Sequence, residues 1–372
     1  MLGVSPLSLA PPAGALNLAA IRAIRDRLRR HGAQACHEHR VLRLWSQALP
    51  QDSGRRRPQD FLPLAVRADL PALVAELDEL VTVRSQHPAA DGSSRLLMAL
   101  ADGQTVEGVL LPRDGLCVST QVGCAVGCVF CMTGREGLTR QLGSAEIVAQ
   151  VVLARRLRPV KRVVFMGMGE PAHNLDAVME AIELLGDEGG IGHKNLVFST
   201  VGDRRVFERL PSGRVKPALA LSLHTTKADL RARLLPRAPF FDPAELIDLA
   251  DTYARSSGHP VQVQWTLLAG INDGDDELEG IVRLLKGKRA ILNMIPYNAV
   301  EGLEFERPTE VRAAEIALEL HRRGVLTKLR QSVGQDIDGG CGQLRSRARG
   351  AGVAMLAPTR LPEVQHAALG KV

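Results

Sequence analysis

An α/β fold built on a parallel sheet is the class this 372-residue sequence predicts, and three observations predict it. From residue 115 onward, short β-branched or apolar runs alternate with amphipathic helical stretches, the pattern of βα units joined by right-handed crossovers. Hydrophobic residues make up 45% of the chain but aromatics only 3%, so Leu, Val, Ile and Ala must build the core. Small or polar residues recur at the carboxyl ends of the strand runs, where parallel α/β folds place their ligands. Six such units are too few for an eight-stranded closed barrel. They fit an incomplete barrel with an open side, or an open doubly wound sheet.

The elements follow in chain order. The opening MLGVSPLSLAPPAGAL has no basic segment and prolines interrupt its apolar run, so it is expected to be neither a signal peptide nor an anchor. No stretch approaches 18 uninterrupted apolar residues, so no membrane association and a cytoplasmic location are expected. Residues 1–90 are expected to form a small helical domain. Ile21, Ile24 and Leu28 recur at helical spacing with Gly32 as a stop, and Arg22, Arg25, Arg29 and Arg30 crowd the opposite side. That basic side is a possible RNA contact, although a solvated face is the commoner reading. Val41, Leu44, Trp45 and Ala48 suggest a second helix, SGRRRPQD (53–60) a loop, and Leu73, Val74, Leu77, Leu80 and Val81 a third helix. Cys36, His37 and His39 have no partners in sequence and are expected to have no role.

Residues 91–350 hold the core, with 351–372 as a tail. The runs 94–100 and 105–112 predict a β-hairpin. Strands are expected at 116–120, 162–167, 196–200, 218–224, 261–268 and 290–296. Helices are expected at 144–156 with Ser144 as N-cap, 174–185, 243–255, 275–286, and 309–323 from Thr309 to Gly324. Each strand ends in chemistry: QVGCAVGCVFC after the first, GMGEP at the second, Ser199 at the third, Ser222 and His224 at the fourth, Asn272 after the fifth, and Asn298 after the sixth.

Three of the six cysteines fall in CAVGCVFC, residues 124–131. Cys124, Cys128 and Cys131 have the spacing C-x3-C-x2-C. Structural zinc usually takes four ligands in paired C-x2-C elements, and no second pair is present. An iron–sulfur cluster takes thiolates, and three of them on a four-iron cube leave one iron open for a ligand. In a chain of this size, such a cluster points to metal or catalysis rather than to a disulfide framework. Lys and Arg number 47 against 41 acidic residues, a formal charge of +6 that permits an anionic partner such as RNA without demanding one.

These residues resemble a known family. C-x3-C-x2-C after the first strand of a partial (β/α)6 barrel is similar to the radical S-adenosylmethionine (SAM) superfamily, and GMGEP (167–171) to its SAM-binding motif. LCVSTQVGCAVGCVFCMTG (116–134), GMGEPAHN (167–174), SLH (222–224), IPYN (295–298) and DIDGGCGQL (336–344) together resemble the RlmN/Cfr family of RNA adenine methyltransferases. The resemblance covers about residues 91–346. Val201 stands where the family pattern has serine, and Met132 where smaller residues are common.

The resemblance implies a radical SAM barrel with a 4Fe–4S cluster on Cys124, Cys128 and Cys131. It implies SAM held by Gly169, Glu170, Ser199, Ser222, Leu223, His224 and Asn298. Taken alone, Glu170 is also a helix N-terminal carboxylate favoured by the dipole. Cys341 would accept a methyl from one SAM, and a radical from a second would remove a hydrogen from that methyl. The resulting carbon radical would add to carbon 2 or carbon 8 of an adenine, positions too electron-poor for polar attack. Cys117 would then attack the Cys341 sulfur and release the product with a transient disulfide. Glu107 would be the proton acceptor at the product stage. The implied partners are rRNA or tRNA and an electron donor such as flavodoxin or ferredoxin, with the enzyme a monomer. Arg345, Arg347 and Arg349 beside Cys341 would meet RNA phosphates.

Overall fold

The computed structural model describes residues 18–345 apart from 136, 301 and 331–333. The opening segment, Arg347, Arg349 and the tail lie outside the described residues.

Four helices come first: α1 (Ile21–Arg30), α2 (Ala35–Ser46), α3 (Pro58–Phe61) and α4 (Leu64–Glu79). The expected third helix stops at Glu79. Val81 instead opens β1 (Val81–Pro88), an edge strand too exposed to carry a clear alternating pattern. β1 pairs antiparallel with β2 (Ser94–Leu100), which pairs with β3 (Thr105–Leu111), so the expected hairpin is part of a larger ribbon. β3 pairs antiparallel with β4 (Gly115–Cys117), the first strand of the parallel sheet.

From β4 the chain enters β5 (Gln121–Gly123), the cysteine loop with the short α5 (Met132–Arg135), and β6 (Leu138–Gln141); β5 and β6 form a separate two-stranded ribbon. Then follow α6 (Ser144–Leu157), β7 (Arg162–Phe165), α7 (Leu175–Asp187), β8 (Leu196–Thr200), α8 (Arg204–Arg209) and β9 (Ala218–Ser222). The chain continues through α9 (Ala228–Leu234), α10 (Pro243–Ser257), β10 (Val261–Leu267), α11 (Asp275–Leu285), β11 (Ala290–Pro296), α12 (Glu310–Arg322) and β12 (Thr327–Leu329).

The large sheet has the order β1-β2-β3-β4-β7-β8-β9-β10-β11-β12, parallel from β4 onward. Along that parallel stretch, strand order never reverses. A doubly wound sheet requires a reversal, so that alternative is excluded. With right-handed crossovers and one direction of travel, the helices stack on a single face and the other face becomes the concave interior. The ends β1 and β12 do not pair with each other, so the barrel is partial.

Several expected boundaries shift for local reasons. The 116–120 strand stops at Cys117, because Ser119 turns its amide to the Gln150 side chain (3.0 Å). The 218–224 strand stops at Ser222, and His224 then takes φ +66°, the left-handed region that side chains avoid. Ser144 is not the N-cap: the helix begins with it, and the Glu146 carboxylate accepts the Gly143 amide (2.8 Å). The Ser144 hydroxyl instead accepts the Ile21 amide (2.9 Å), tying α1 to the barrel. Thr309 caps α12 as expected, accepting the Arg312 amide (3.1 Å), and Gly324 follows the helix with φ +88°. Helices α8 and α9 and strand β12 are too short to show a period in sequence.

The N-terminal helices share one apolar core with the barrel, in which Ile21, Ile24 and Leu28 join Val148, Leu185 and Trp265. The basic side of α1 is partly neutralised. Arg25 pairs with Glu38 and Glu188 and Arg29 with Glu38, while Arg27 beside them pairs with Asp69 and Glu76. These ion pairs hold the helices together and to the C-terminus of α7, whereas Arg22 and Arg30 are exposed and have no ion pair among the described residues. Cys36 is exposed, and His37 packs edge-on against Phe61.

Candidate active site

The carboxyl ends of the parallel strands surround a cavity of about 160 Å³. Its wall includes Cys124, Cys128 and Cys131 from the loop after β5, Gly169 and Glu170 after β7, Ser199 of β8, Ser222 of β9 with His224 just after, and Cys341.

Backbone contacts shape the cysteine loop. The Cys124 amide donates to Gly137 (2.7 Å), Val129 to Leu234 (3.1 Å) and Cys131 to Cys128 (3.1 Å). Gly127 has φ +68°, the left-handed region that favours glycine, and the Arg237 guanidinium lies against it. Without metal, burial pushes the Cys124 thiol up to about 12 and raises that of Cys128. Among the described residues, no three His, Cys, Asp or Glu groups converge on a single-ion position. A four-iron cube gives each thiolate its own iron, so this donor set fits a cube better than a zinc cage.

Glu170 is buried and has no ion pair among the described residues. Its carboxylate accepts the amides of Ala172 (3.0 Å) and Val201 (3.0 Å) and the Thr200 hydroxyl. It therefore caps the turn Pro171–Asn174 and faces the cavity at once. A carboxylate has about four acceptor sites, so about one is left for a ligand. Burial raises its pKa to about 7, so a bound ammonium would stabilise the ionised form. Gly169 has φ +104°, and a Cβ there would meet the Gln121 side chain at 2.6 Å. Gln121 accepts the Glu170 amide (2.7 Å) and so positions the whole motif.

His224 is buried and stacks edge-on against Phe130 of the cysteine loop (4.9 Å). Its Nδ1 accepts the Thr266 amide (2.9 Å), and burial lowers its pKa to about 3. The ring is neutral with its proton on Nε2, a donor on the cavity wall. Asn272 holds this geometry by donating to the His224 carbonyl (2.7 Å). Two expected SAM contacts, Leu223 and Asn298, are not among the residues that line the cavity. Leu223 is in the apolar core, its amide bound to Gln264. Asn298 is buried and donates to the Cys341 carbonyl (3.0 Å), so its contact is with the turn that carries the thiol.

That turn is fastened on three sides. The Met132 amide donates to Gly342 (2.8 Å) and the Thr133 hydroxyl to Leu344 (2.5 Å), both from the cysteine loop. Gln343 reaches the Ala299 carbonyl (3.0 Å). The Arg345 amide donates to Glu107 (3.0 Å). Residue Cys341 is surface-exposed, but its sulfur borders the cavity, where burial and then Cys131 raise its pKa. The Cys117 thiol, at the end of β4, is pushed up to about 12 by burial and then by Cys341, so the two thiols are within electrostatic reach of each other. Glu107 is fully buried behind the turn and paired with Arg95.

Arg231 on α9 gave no signal in the sequence. It is buried and donates to the carbonyls of Val201 and Ser222, while its Nε has no partner among the described residues. Burial lowers its pKa to about 10, opposed by the nearby Cys128 and Glu170. Val201 and Met132, the two departures from the family pattern, both act here through their backbone amides.

Residues 118–285 match the model of the radical SAM superfamily, whose members use a 4Fe–4S cluster and SAM; the residues described above fit both. The chain is 74% identical to a probable RNA methyltransferase of Leptothrix cholodnii, covering 87% of this chain and 93% of that one. It is 68% identical to a probable RNA methyltransferase of Thiobacillus denitrificans, covering 92% and 94%. A radical SAM methyltransferase from Sphaerobacter thermophilus has the same fold in its crystal structure, with a TM-score of 0.76 and 34% identity over 88% of this chain and 98% of that one. A partial barrel, a three-cysteine loop at its open end, and relatives matched over nearly their whole length place this chain in the radical SAM superfamily, among its methyltransferases.

Proposed function

We propose that the protein methylates an adenine carbon, carbon 2 in first place, in ribosomal RNA or tRNA, with Cys341 carrying the methyl and Cys117 releasing the product. One observation carries the reading: the turn that bears Cys341, 210 positions beyond Cys131, is hydrogen-bonded to Met132 and Thr133 beside the cysteine loop, and its thiol is within electrostatic reach of Cys117. A radical SAM enzyme acting on a protein or small molecule needs no such pair of thiols. The RNA part of the reading is supported by the names of the relatives.

When bound, the cluster and SAM supply the radical that abstracts hydrogen from a methyl group. The chain does the rest. Glu170 takes the ammonium of SAM, and Ser199, Ser222 and His224 surround it. Cys341 holds the methyl carbon that becomes bonded to adenine. The adduct radical gives up one electron, which returns to the bound cluster, and the adenine carbon loses its proton to Glu107 behind the turn. Cys117, once deprotonated, then attacks the Cys341 sulfur; a disulfide forms, the carbon–sulfur bond breaks, and its electron pair stays on the methylene carbon, which takes up a proton to become the methyl group. Burial keeps both thiols protonated near neutral pH, so each must lose its proton to a base as it reacts. The target base must leave its stack to reach the cavity, which favours a folded loop over a regular helix.

Nucleoside mass spectrometry of RNA from cells with and without the protein tests this. Deletion is expected to remove 2-methyladenosine, and Cys341→Ser should fail to restore it. Loss of 8-methyladenosine would move the reaction to carbon 8, and unchanged RNA would overturn the RNA reading.

A further inference from the structure

The cysteine loop has two sides. Phe130 to Thr133 contact Gly342 and Leu344, the substrate-thiol side. Val126 to Val129 contact a different segment: the Arg237 amide donates to Val126 (3.2 Å) and the Val129 amide to Leu234 (3.1 Å). The Arg237 guanidinium lies against Gly127, the residue before Cys128.

This second side has a distinct surface. Residues 232–240, ARLLPRAPF, contain two arginines and no acid. Arg233 and Arg237 are exposed and have no ion pair among the described residues. Phe240 is 77% exposed, the largest exposure of any large apolar residue described. Pro236 and Pro239 stiffen the backbone between them, so little ordering is needed on binding. Arginine and an exposed aromatic on a rigid segment are the composition of a protein interface. The lack of acid gives it one sign of charge.

We propose that Arg233, Arg237 and Phe240 form the docking surface for an acidic one-electron carrier protein bearing a flavin or iron–sulfur group. The inference rests on the reading of Cys124, Cys128 and Cys131 as cluster ligands. In the docked complex one electron leaves the carrier, which is oxidised by one unit. It enters the cluster bound at the three cysteines, which is reduced by one unit. No atom is transferred. The surface borders Val126 to Val129, a different stretch of the loop from the Met132 and Thr133 donors that hold the turn of the substrate thiol.

The test uses the holoenzyme with an acidic flavodoxin, and dithionite as the small-molecule control. Arg237→Glu and Arg233→Glu are expected to slow flavodoxin-driven cluster reduction about tenfold and to weaken calorimetric flavodoxin binding by a similar factor. The wild-type rate should fall with added salt, and the variants should lose that dependence. Iron content and reduction by dithionite should be unchanged. Arg233 does not touch the cysteine loop, so its variant keeps the test valid if Arg237→Glu disturbs cluster assembly. Unchanged flavodoxin binding, an equal loss with dithionite in both variants, or a loss of RNA affinity with flavodoxin binding intact would each overturn the proposal. The last outcome would give the surface to RNA. If the reduced wild type cleaves SAM but methylates no RNA, the proposed function fails while the docking result stands.

Discussion

Glu107 and Glu170 are both deeply buried carboxylates near the same cavity, and their surroundings differ in one respect. Glu107 is paired with Arg95, whose register partner on β3 is Val109. Arg95 is thus the diagonal neighbour of Glu107 on one face of a hairpin, within reach of a long side chain. Glu170 has backbone amides and a hydroxyl but no cation in ion-pair contact among the described residues. A buried charge needs a partner. The chain supplies one to Glu107 and none in ion-pair contact to Glu170 among the described residues. The first glutamate belongs to the frame that fixes the Cys341 turn, and the second lines the cavity, where the proposed function seats the ammonium of SAM.

The strongest way to break this comparison is Glu107→Gln. It leaves the Arg95 guanidinium buried without its counter-charge, and urea unfolding should report a loss of about 4 kcal/mol. Adding Arg95→Met should restore most of that stability, though not methylation. SAM binding should change little in either. Next is Glu170→Gln, which should weaken SAM binding about 100-fold by calorimetry, with a smaller shift in the unfolding midpoint than Glu107→Gln. Equal effects of the two variants on SAM affinity would erase the distinction.

A third expectation concerns pH. The Glu170 pKa is raised from 4.5 to about 7. The folded, ligand-free protein therefore binds more protons than the unfolded chain between those values. Its stability falls as pH rises through that window. SAM affinity should move oppositely, rising severalfold up to about pH 7 and levelling above it, and Glu170→Gln should flatten that part of the profile. The smallest effect is expected for Val201→Ser. The amide, not the side chain, reaches Glu170, so methylation should stay within about twofold of wild type.

The two glutamates also show what the sequence reveals. Glu107 stands in the 105–112 run and Glu170 in GMGEP, and both were named as candidates. Their difference was not legible, because the cation that matters to Glu107 comes from the adjacent strand and depends on register. The six strand ends were legible because apolar runs and small polar residues alternate regularly along the chain. Arg231 and Gln121 were not, since a buried arginine on a seven-residue helix and a glutamine on a three-residue strand look like surface residues until the sheet closes around them. The ion pairs of α1 were hidden for the same reason. Arg27 reaches Asp69 and Glu76, and Arg25 reaches Glu188, partners that lie 42 to 163 residues away.

The attachment of the Cys341 turn to Met132 and Thr133 joins two parts of the chain that lie far apart in sequence. The residues that grip its carbonyls directly follow Cys131. The three-cysteine loop and the distant turn therefore brace each other. A change that disorders either one loosens the other, so the two cannot be altered independently.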